Sequence, residues 1–251
     1  MKEQIYTIPV NEAFGKDCEC PLCFLHKKLE NEAVDYTLGP AMMEPDYRVL
    51  SNENGFCQKH YKMLFEKQNK LSLALVLDTH LEEMRKKIQN LSKDISSLKN
   101  DKKGLFKKAS EKLEHINSSV KNSTDSCVIC DKINKTFERY IEVFFYLLEN
   151  DEDFIEKVKS SKGFCIPHFN MLINTAFKYL SHKKTCEFAN LIYEKELSEL
   201  ERIQKDIHKF TLKFDYRNKD MEWGSAIDAP IRTIEKLCGH ISNEEDKNDD
   251  E

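Results

Sequence analysis

Glycine and proline are scarce in this sequence, seven and six among 251 residues. A sandwich or barrel that turns every 8 to 12 residues needs more of both, whereas the abundant Lys, Glu, Leu and Ile suit long helices, so the expected fold class is all-α. Long apolar runs are missing as well. No stretch reaches the roughly 18 uncharged apolar residues of a membrane helix, and Met1 to Tyr6 carries no apolar core of a secretion signal. These absences predict a soluble, cytoplasmic protein with no membrane partner. Disorder throughout is excluded, since 40% hydrophobic residues can bury a core. The net charge of −5 gives no global attraction to nucleic acid or anionic lipid. Nucleotide-binding glycine loops, the Gly-x-Ser-x-Gly nucleophile turn and the His-Glu-x-x-His metalloprotease helix are all absent. No catalytic residue is assigned, and the reading leans against an enzyme.

Cysteine, by contrast, is plentiful. Nine is an odd number, and six of the nine fall into two sets with Cys18, Cys186 and Cys238 left over, which suits a reducing compartment better than a disulfide framework. Cys20, Cys23, Cys57 and His60 recur as Cys127, Cys130, Cys165 and His168, offset by 107, 107, 108 and 108 residues. The lead-in repeats as Gly55-Phe56 and Gly163-Phe164, and the exit as Met63-Leu64 and Met171-Leu172. The chain is therefore an internal duplication. A Cys-x2-Cys joined to a Cys-x2-His supplies the four donors of a closed tetrahedral zinc site, and each repeat is expected to pin itself with one, giving two zinc ions per chain. Mixed-ligand iron–sulfur clusters and metal-free thiols are the competing occupancies. Cys18 and His26 stand close enough to substitute in the first set, but the second set has no equivalent of either, so the symmetric assignment is preferred. Cys186 and Cys238 are read as small buried residues on apolar helix faces.

The order of segments follows from periodicity. Residues 5 to 16, broken by Pro9, read as an extended arm, and a helix is expected from Pro21 until Gly39-Pro40. Leu77, Leu81, Met84, Ile88, Leu91, Ile95 and Leu98 form a heptad seam on a helix from about Leu71 to Leu98. The pattern breaks at Lys99 to Gly104 and resumes at Phe106, which predicts a long antiparallel hairpin. In the second repeat the exit helix is read through Tyr193, Leu197, Leu200, Ile203, Ile207, Phe210 and Phe214. A short helix from about Ala226 to Cys238 follows, with Ser225 and Asp228 spaced as a capping box. The expected units are an N-terminal zinc-pinned repeat (1–98), the hairpin tip, return helix and linker (99–126), a C-terminal zinc-pinned repeat (127–214), an aromatic connector with its short helix (215–241) and an acidic disordered tail (242–251).

With both Cys-x2-Cys and Gly-Phe-Cys-x2-His sets, and with Lys213-Phe214-Asp215-Tyr216-Arg217-Asn218 and Trp223-Gly224-Ser225 in this order, the chain resembles an uncharacterised bacterial family, a numbered domain of unknown function. The likeness runs from about Ile5 to Gly239 and includes an Arg-Tyr, here Arg139-Tyr140, in the first helix of the second half. The resemblance implies a zinc-bearing helical protein of low-GC bacterial type, and no reaction.

The leading functional reading is a non-catalytic, zinc-stabilised interaction or scaffold module with a protein partner or self-association. Two rivals stand beside it. Residues 84 to 122 hold eleven Lys or Arg against four Asp or Glu, so Lys102, Lys103, Lys107 and Lys108 could carry nucleic acid. Alternatively, thiolate-rich sets release zinc on oxidation, as a redox sensor or an unrecognised enzyme would use. The segment Lys213 to Asp228, absent from the repeat, reads either as a clasp between the halves or as a recognition surface.

Overall fold

Proline at the first turn or glycine just past the last one marks half of the α-helices among the described residues. Pro21 opens α2 (Pro21–Leu38), Pro45 opens α3 (Pro45–Asn54), and Gly55 and Gly239 close α3 and the last helix at φ values of 63° and 94°. The other helices are α1 (Gln4–Phe14), α4 (Gln58–Glu66), α5 (Lys70–Leu98), α6 (Val128–Asn150), α7 (Glu152–Ser160), α8 (Ile166–Tyr179), α9 (His182–Leu212) and α10 (Ala229–Cys238). The computed structural model describes residues 4–98, 113–114, 116–118, 120–121 and 125–241, and among these there is no strand. The all-α class is as expected, and no helix is long and apolar enough to cross a membrane among the described residues. The hairpin tip and its four lysines, Lys102, Lys103, Lys107 and Lys108, lie outside the described residues, as does the acidic tail.

The chain divides into two compact units that do not follow the order of the repeats. One unit is formed by residues 1–28 and 136–251, the other by residues 29–135. The boundaries fall inside α2 and α6.

In the first unit an aromatic core gathers Phe14, Phe144, Phe154 and Phe164, with Phe14 5.0 Å from Phe154 and 5.5 Å from Phe144 between ring centroids. Phe145 and Phe188 extend it at 5.4 Å. The segment read as an extended arm is helix α1, with Pro9 inside it. Burial of Val10, Ala13 and Phe14 outweighs the hydrogen bond that Pro9 cannot donate, and Lys157 on α7 ties down Asn11 at 2.8 Å. Helix α9, about 46 Å long at about 1.5 Å per residue, buries Thr185, Phe188, Ile192, Glu196 and Ile203. Of the stripe read from its sequence, Ile203 is buried, but Tyr193 and Leu197 are 50% and 62% exposed. The packed face was hidden because it contains a carboxylate.

That carboxylate belongs to a buried pair. Lys236 on α10 is fully buried, with its Nζ 3.1 Å from Glu196 and bonded to the Lys162 carbonyl at 2.7 Å. The other oxygen of Glu196 accepts from the backbone N–H of Phe164 at 3.0 Å. Burial pushes the Glu196 carboxyl up, against the attraction of Lys236. Removing one partner leaves a buried charge, so Glu196→Ala is expected to cost about 3–5 kcal/mol in urea unfolding, whereas Glu196→Leu combined with Lys236→Met should recover most of it. Equal losses in the single and double variants would mean that the pair is not the unit of stability.

The second unit packs α3 on α5. Arg48 donates to Thr79 Oγ1 at 2.8 Å and to the Leu75 carbonyl at 3.1 Å, and His80 Nδ1 lies 2.8 Å from the Asn52 carbonyl oxygen. This contact selects a stripe of α5 offset from the heptad seam. Leu73 and Val76 are buried, while Leu77, Leu81 and Ile88 are 40%, 70% and 50% exposed. Tyr47 closes the unit from α3, its hydroxyl 2.6 Å from that of Thr37.

The connector follows its own logic. The capping box at Ser225 and Asp228 does not form: Ser225 donates to Asp206 at 2.7 Å, and Asp228 takes Arg232 at 2.9 Å. Phe210, Phe214 and Trp223 form a ring cluster with centroids 5.3 to 6.2 Å apart, yet Phe214 and Tyr216 are 73% and 78% exposed. Asp215 and Arg217 pair with each other locally, so Asp215, Tyr216, Arg217 and Asp228 do not converge into one polar site.

Candidate metal centres

The Gly-Phe-Cys-x2-His motif is a compact device for aiming two donors at one point. Gly55 and Gly163 adopt φ values of 63° and 75°, where a side chain is strained, and a Cβ would come within 2.5 Å of His80 at Gly55 and 2.8 Å of Glu196 at Gly163. The following Phe56 and Phe164 are buried anchors. Cys57 and Cys165 are then the N-cap residues of α4 and α8, and the histidine three residues on sits in the first helical turn. Sγ and Nδ1 end up side by side, 3.3 Å apart in Cys57–His60 and 3.1 Å in Cys165–His168.

The Cys-x2-Cys pairs use the same place on a helix. Cys20 precedes Pro21 at the start of α2, and Cys127 precedes Val128 at the start of α6, where the N–H of Cys130 donates to the Cys127 sulfur at 3.4 Å. Both Cys-x2-Cys pairs and both N-cap cysteines thus sit at helix N-termini, the ends that favour negative charge.

All eight residues singled out by the repeat are gathered into two groups, but not in the expected combination. Cys20 and Cys23 meet Cys165 and His168, while Cys57 and His60 meet Cys127 and Cys130, and in each group the four donor atoms lie within 4.8 Å of one another. The expectation that each repeat pins itself is thereby corrected: each Cys-x2-Cys is completed by the Cys-x2-His of the other repeat. Both centres remain within single compact units, the first in residues 1–28 with 136–251 and the second in 29–135. The pairing is nested along the chain. Contacts of the second centre join residues 67 to 73 apart, and those of the first join residues 142 to 148 apart.

The donor sets fit zinc. With Zn–S about 2.3 Å and Zn–N about 2.0–2.1 Å, a regular tetrahedron has S–S edges of about 3.8 Å and S–N edges of about 3.5 Å. In the first centre Cys23–Cys165 is 3.5 Å, with Cys20 and Cys23 3.4 and 3.3 Å from His168 Nδ1. In the second, Cys57–Cys130 is 3.8 Å, and His60 Nδ1 is 3.2 Å from Cys127 and 3.3 Å from Cys130. Three thiols this close repel as anions unless a cation sits among them. Burial opposes ionisation of Cys127, yet His60 outweighs it and holds the thiol down at about 6, while burial and the neighbouring Cys127 push Cys130 up. In the first centre Cys20 is pulled well down despite burial, and Cys165 is pushed up to about 12 by its contact with Cys20. Each group thus holds one thiol that is pulled down beside a neighbour that is pushed up, a pattern that a divalent cation resolves by deprotonating the thiols it binds.

The surroundings add residues that motif reading missed. His60 Nε2 lies 3.0 Å from Oε1 of buried Glu30, and Lys59 donates to the other Glu30 oxygen at 2.8 Å. Burial works against the Glu30 carboxylate, but His60 and Lys59 hold it down at about 2. Glu19, buried beside Cys20, is held by Arg202 and by Arg232, which also binds Asp206 at 3.0 Å. The repeat gives no signal for Glu30, because the equivalent position, ten residues after Cys127, is Phe137.

The spare residues stay outside both centres. Cys18 joins neither group, and burial pushes its thiol up to about 11. His26 packs edge-on against Phe137 at 5.5 Å. Cys186 and Cys238, expected to be buried, are exposed, because the packed stripe of α9 runs through Thr185 and Phe188 and Cys238 lies in the last turn of α10.

Searches of curated proteins and of solved structures found no match. Residues 1–244 match the family described as "Family of unknown function (DUF6062)", and with all eight donors inside that match, the chain belongs to this family.

Proposed function

We propose that the chain is a non-catalytic helical interaction module, cytoplasmic and stapled by two structural zinc ions held by Cys20, Cys23, Cys165 and His168 and by Cys57, His60, Cys127 and Cys130. The observation that carries this reading is the completeness of each donor set. Four protein ligands occupy all four corners at zinc-sized edges, and a catalytic zinc needs a corner for water or substrate. Zinc would supply the charge that lets three thiolates share one point, and this chain's helix N-termini would hold them there. The free thiols fit a reducing compartment. The exposed Phe214, Tyr216 and Ile227 of the connector offer an apolar, partly polar-tipped surface to a protein partner.

The test is elemental analysis of the full chain followed by cobalt substitution. Two zinc ions per chain are expected, and the cobalt protein should show tetrahedral thiolate spectra that azide leaves unchanged. One metal per chain, iron in place of zinc, or an azide-shifted spectrum revealing an open corner would overturn the reading.

A further inference from the structure

We propose that the two centres are unequal, the Cys57–His60–Cys127–Cys130 centre holding its metal permanently and the Cys20–Cys23–Cys165–His168 centre being the exchangeable one. This rests on the zinc reading above and adds to it an order of loading and release.

The difference lies behind the histidines. In the second centre the imidazole is gripped from both sides, with Nδ1 facing the thiols and Nε2–H donating at 3.0 Å to the buried carboxylate of Glu30. Such a carboxylate fixes the tautomer, orients the ring and makes the donor nitrogen more basic, and losing a partner of this kind typically costs about 10–100-fold in metal affinity. Glu30 is itself fixed by Lys59, so its orientation does not rely on the metal. In the first centre the same position of the repeat is occupied by Phe137, whose ring lies 5.5 Å from that of His168 at an interplanar angle of 40°. A phenyl ring accepts no such bond, and no protein group among the described residues bonds His168 Nε2. The helices exchange these roles as they exchange the ligands: α2 supplies Cys23 to the first centre and Glu30 to the second, while α6 supplies Cys130 to the second and Phe137 to the first.

The nested topology points the same way by an independent route. Closing the second centre joins residues 67 to 73 apart, and closing the first joins residues 142 to 148 apart. The outer closure spans about twice the chain of the inner one, so chain entropy favours loading the inner centre first by about threefold.

The zinc-loaded full chain, mixed with excess chromophoric pyridylazo chelator, should release its metal in two phases of equal amplitude separated by about tenfold or more in rate. Iodoacetamide present during release identifies the centres in the unmodified protein: Cys20, Cys23 and Cys165 should be alkylated with the fast phase, and Cys57, Cys127 and Cys130 with the slow one. Glu30→Ala should accelerate the slow phase about 10–100-fold and leave the fast phase alone, and Glu30→Gln, which keeps an acceptor oxygen, should restore part of the difference. Release of both ions at one rate, or alkylation in the opposite order, would sink the inequality while leaving the zinc reading intact. A chain that takes up fewer than two zinc ions sinks both.

Discussion

Stripping both metal ions with a strong chelator is expected to abolish the cooperative unfolding transition of this protein. Structural zinc contributes roughly 10–16 kcal/mol of apparent binding free energy in small zinc-dependent domains at neutral pH, which equals or exceeds the whole stability of an ordinary domain at about 5–15 kcal/mol. Each compact unit contains one centre, and in each the donors come from chain segments whose helix starts are crowded with thiols. Without the cation those thiols must protonate or repel, and the knuckles at Gly55-Phe56-Cys57 and Gly163-Phe164-Cys165 lose the contact that fixes them. Circular dichroism and urea titration before and after chelation provide the measurement. A sharp transition with unchanged midpoint after complete metal loss would show that the hydrophobic cores, such as the Phe14, Phe144, Phe154 and Phe164 cluster, suffice alone.

The second large effect separates the pairing found here from the one that the repeat suggests. Combining Cys20→Ser with Cys165→Ser damages one centre twice, so the variant should keep one zinc per chain and the folded content of residues 29–135. Combining Cys20→Ser with Cys57→Ser damages both centres, so zinc should fall toward none. If each repeat pinned itself, these two results would be interchanged. The pair of variants has the same number of lost thiolates in each member, so metal count divides the alternatives without appeal to stability.

The order of donors explains why this pairing escaped sequence reading. A Cys-x2-Cys at a helix start or a Cys-x2-His on a helical first turn brings two donors together locally, and that much is legible from spacing and from Gly55 and Gly163. Which two half-sites then meet is a different matter, because both Cys-x2-Cys pairs carry identical donors and both Cys-x2-His pairs do too. Loop entropy favours the same-repeat choice, with about 37 residues between Cys20 and Cys57 against about 145 for the observed outer closure, but two doublings of loop length amount to only about 1.2 kcal/mol. Burying a single Phe or Leu side chain is worth about 1.5–3 kcal/mol. The packing of Phe14, Phe154 and Phe164 in the unit that holds the outer centre is therefore enough to reverse the preference.

The same division runs through the rest of the chain. Scarce glycine and proline, the boundaries of α2, the start of α5 and the eight donors are properties of short windows, and the sequence determined them by itself. Proximity along the helix supplies those signals directly. The helical state of α1 despite Pro9, the buried stripe of α9 through Glu196, the partnership of Glu30 with His60 and the exchange of half-sites were decided only by the tertiary structure. Each of these depends on which surface is taken from water and which distant charge answers it, and a buried carboxylate reads as solvent-facing until its lysine or histidine is in place.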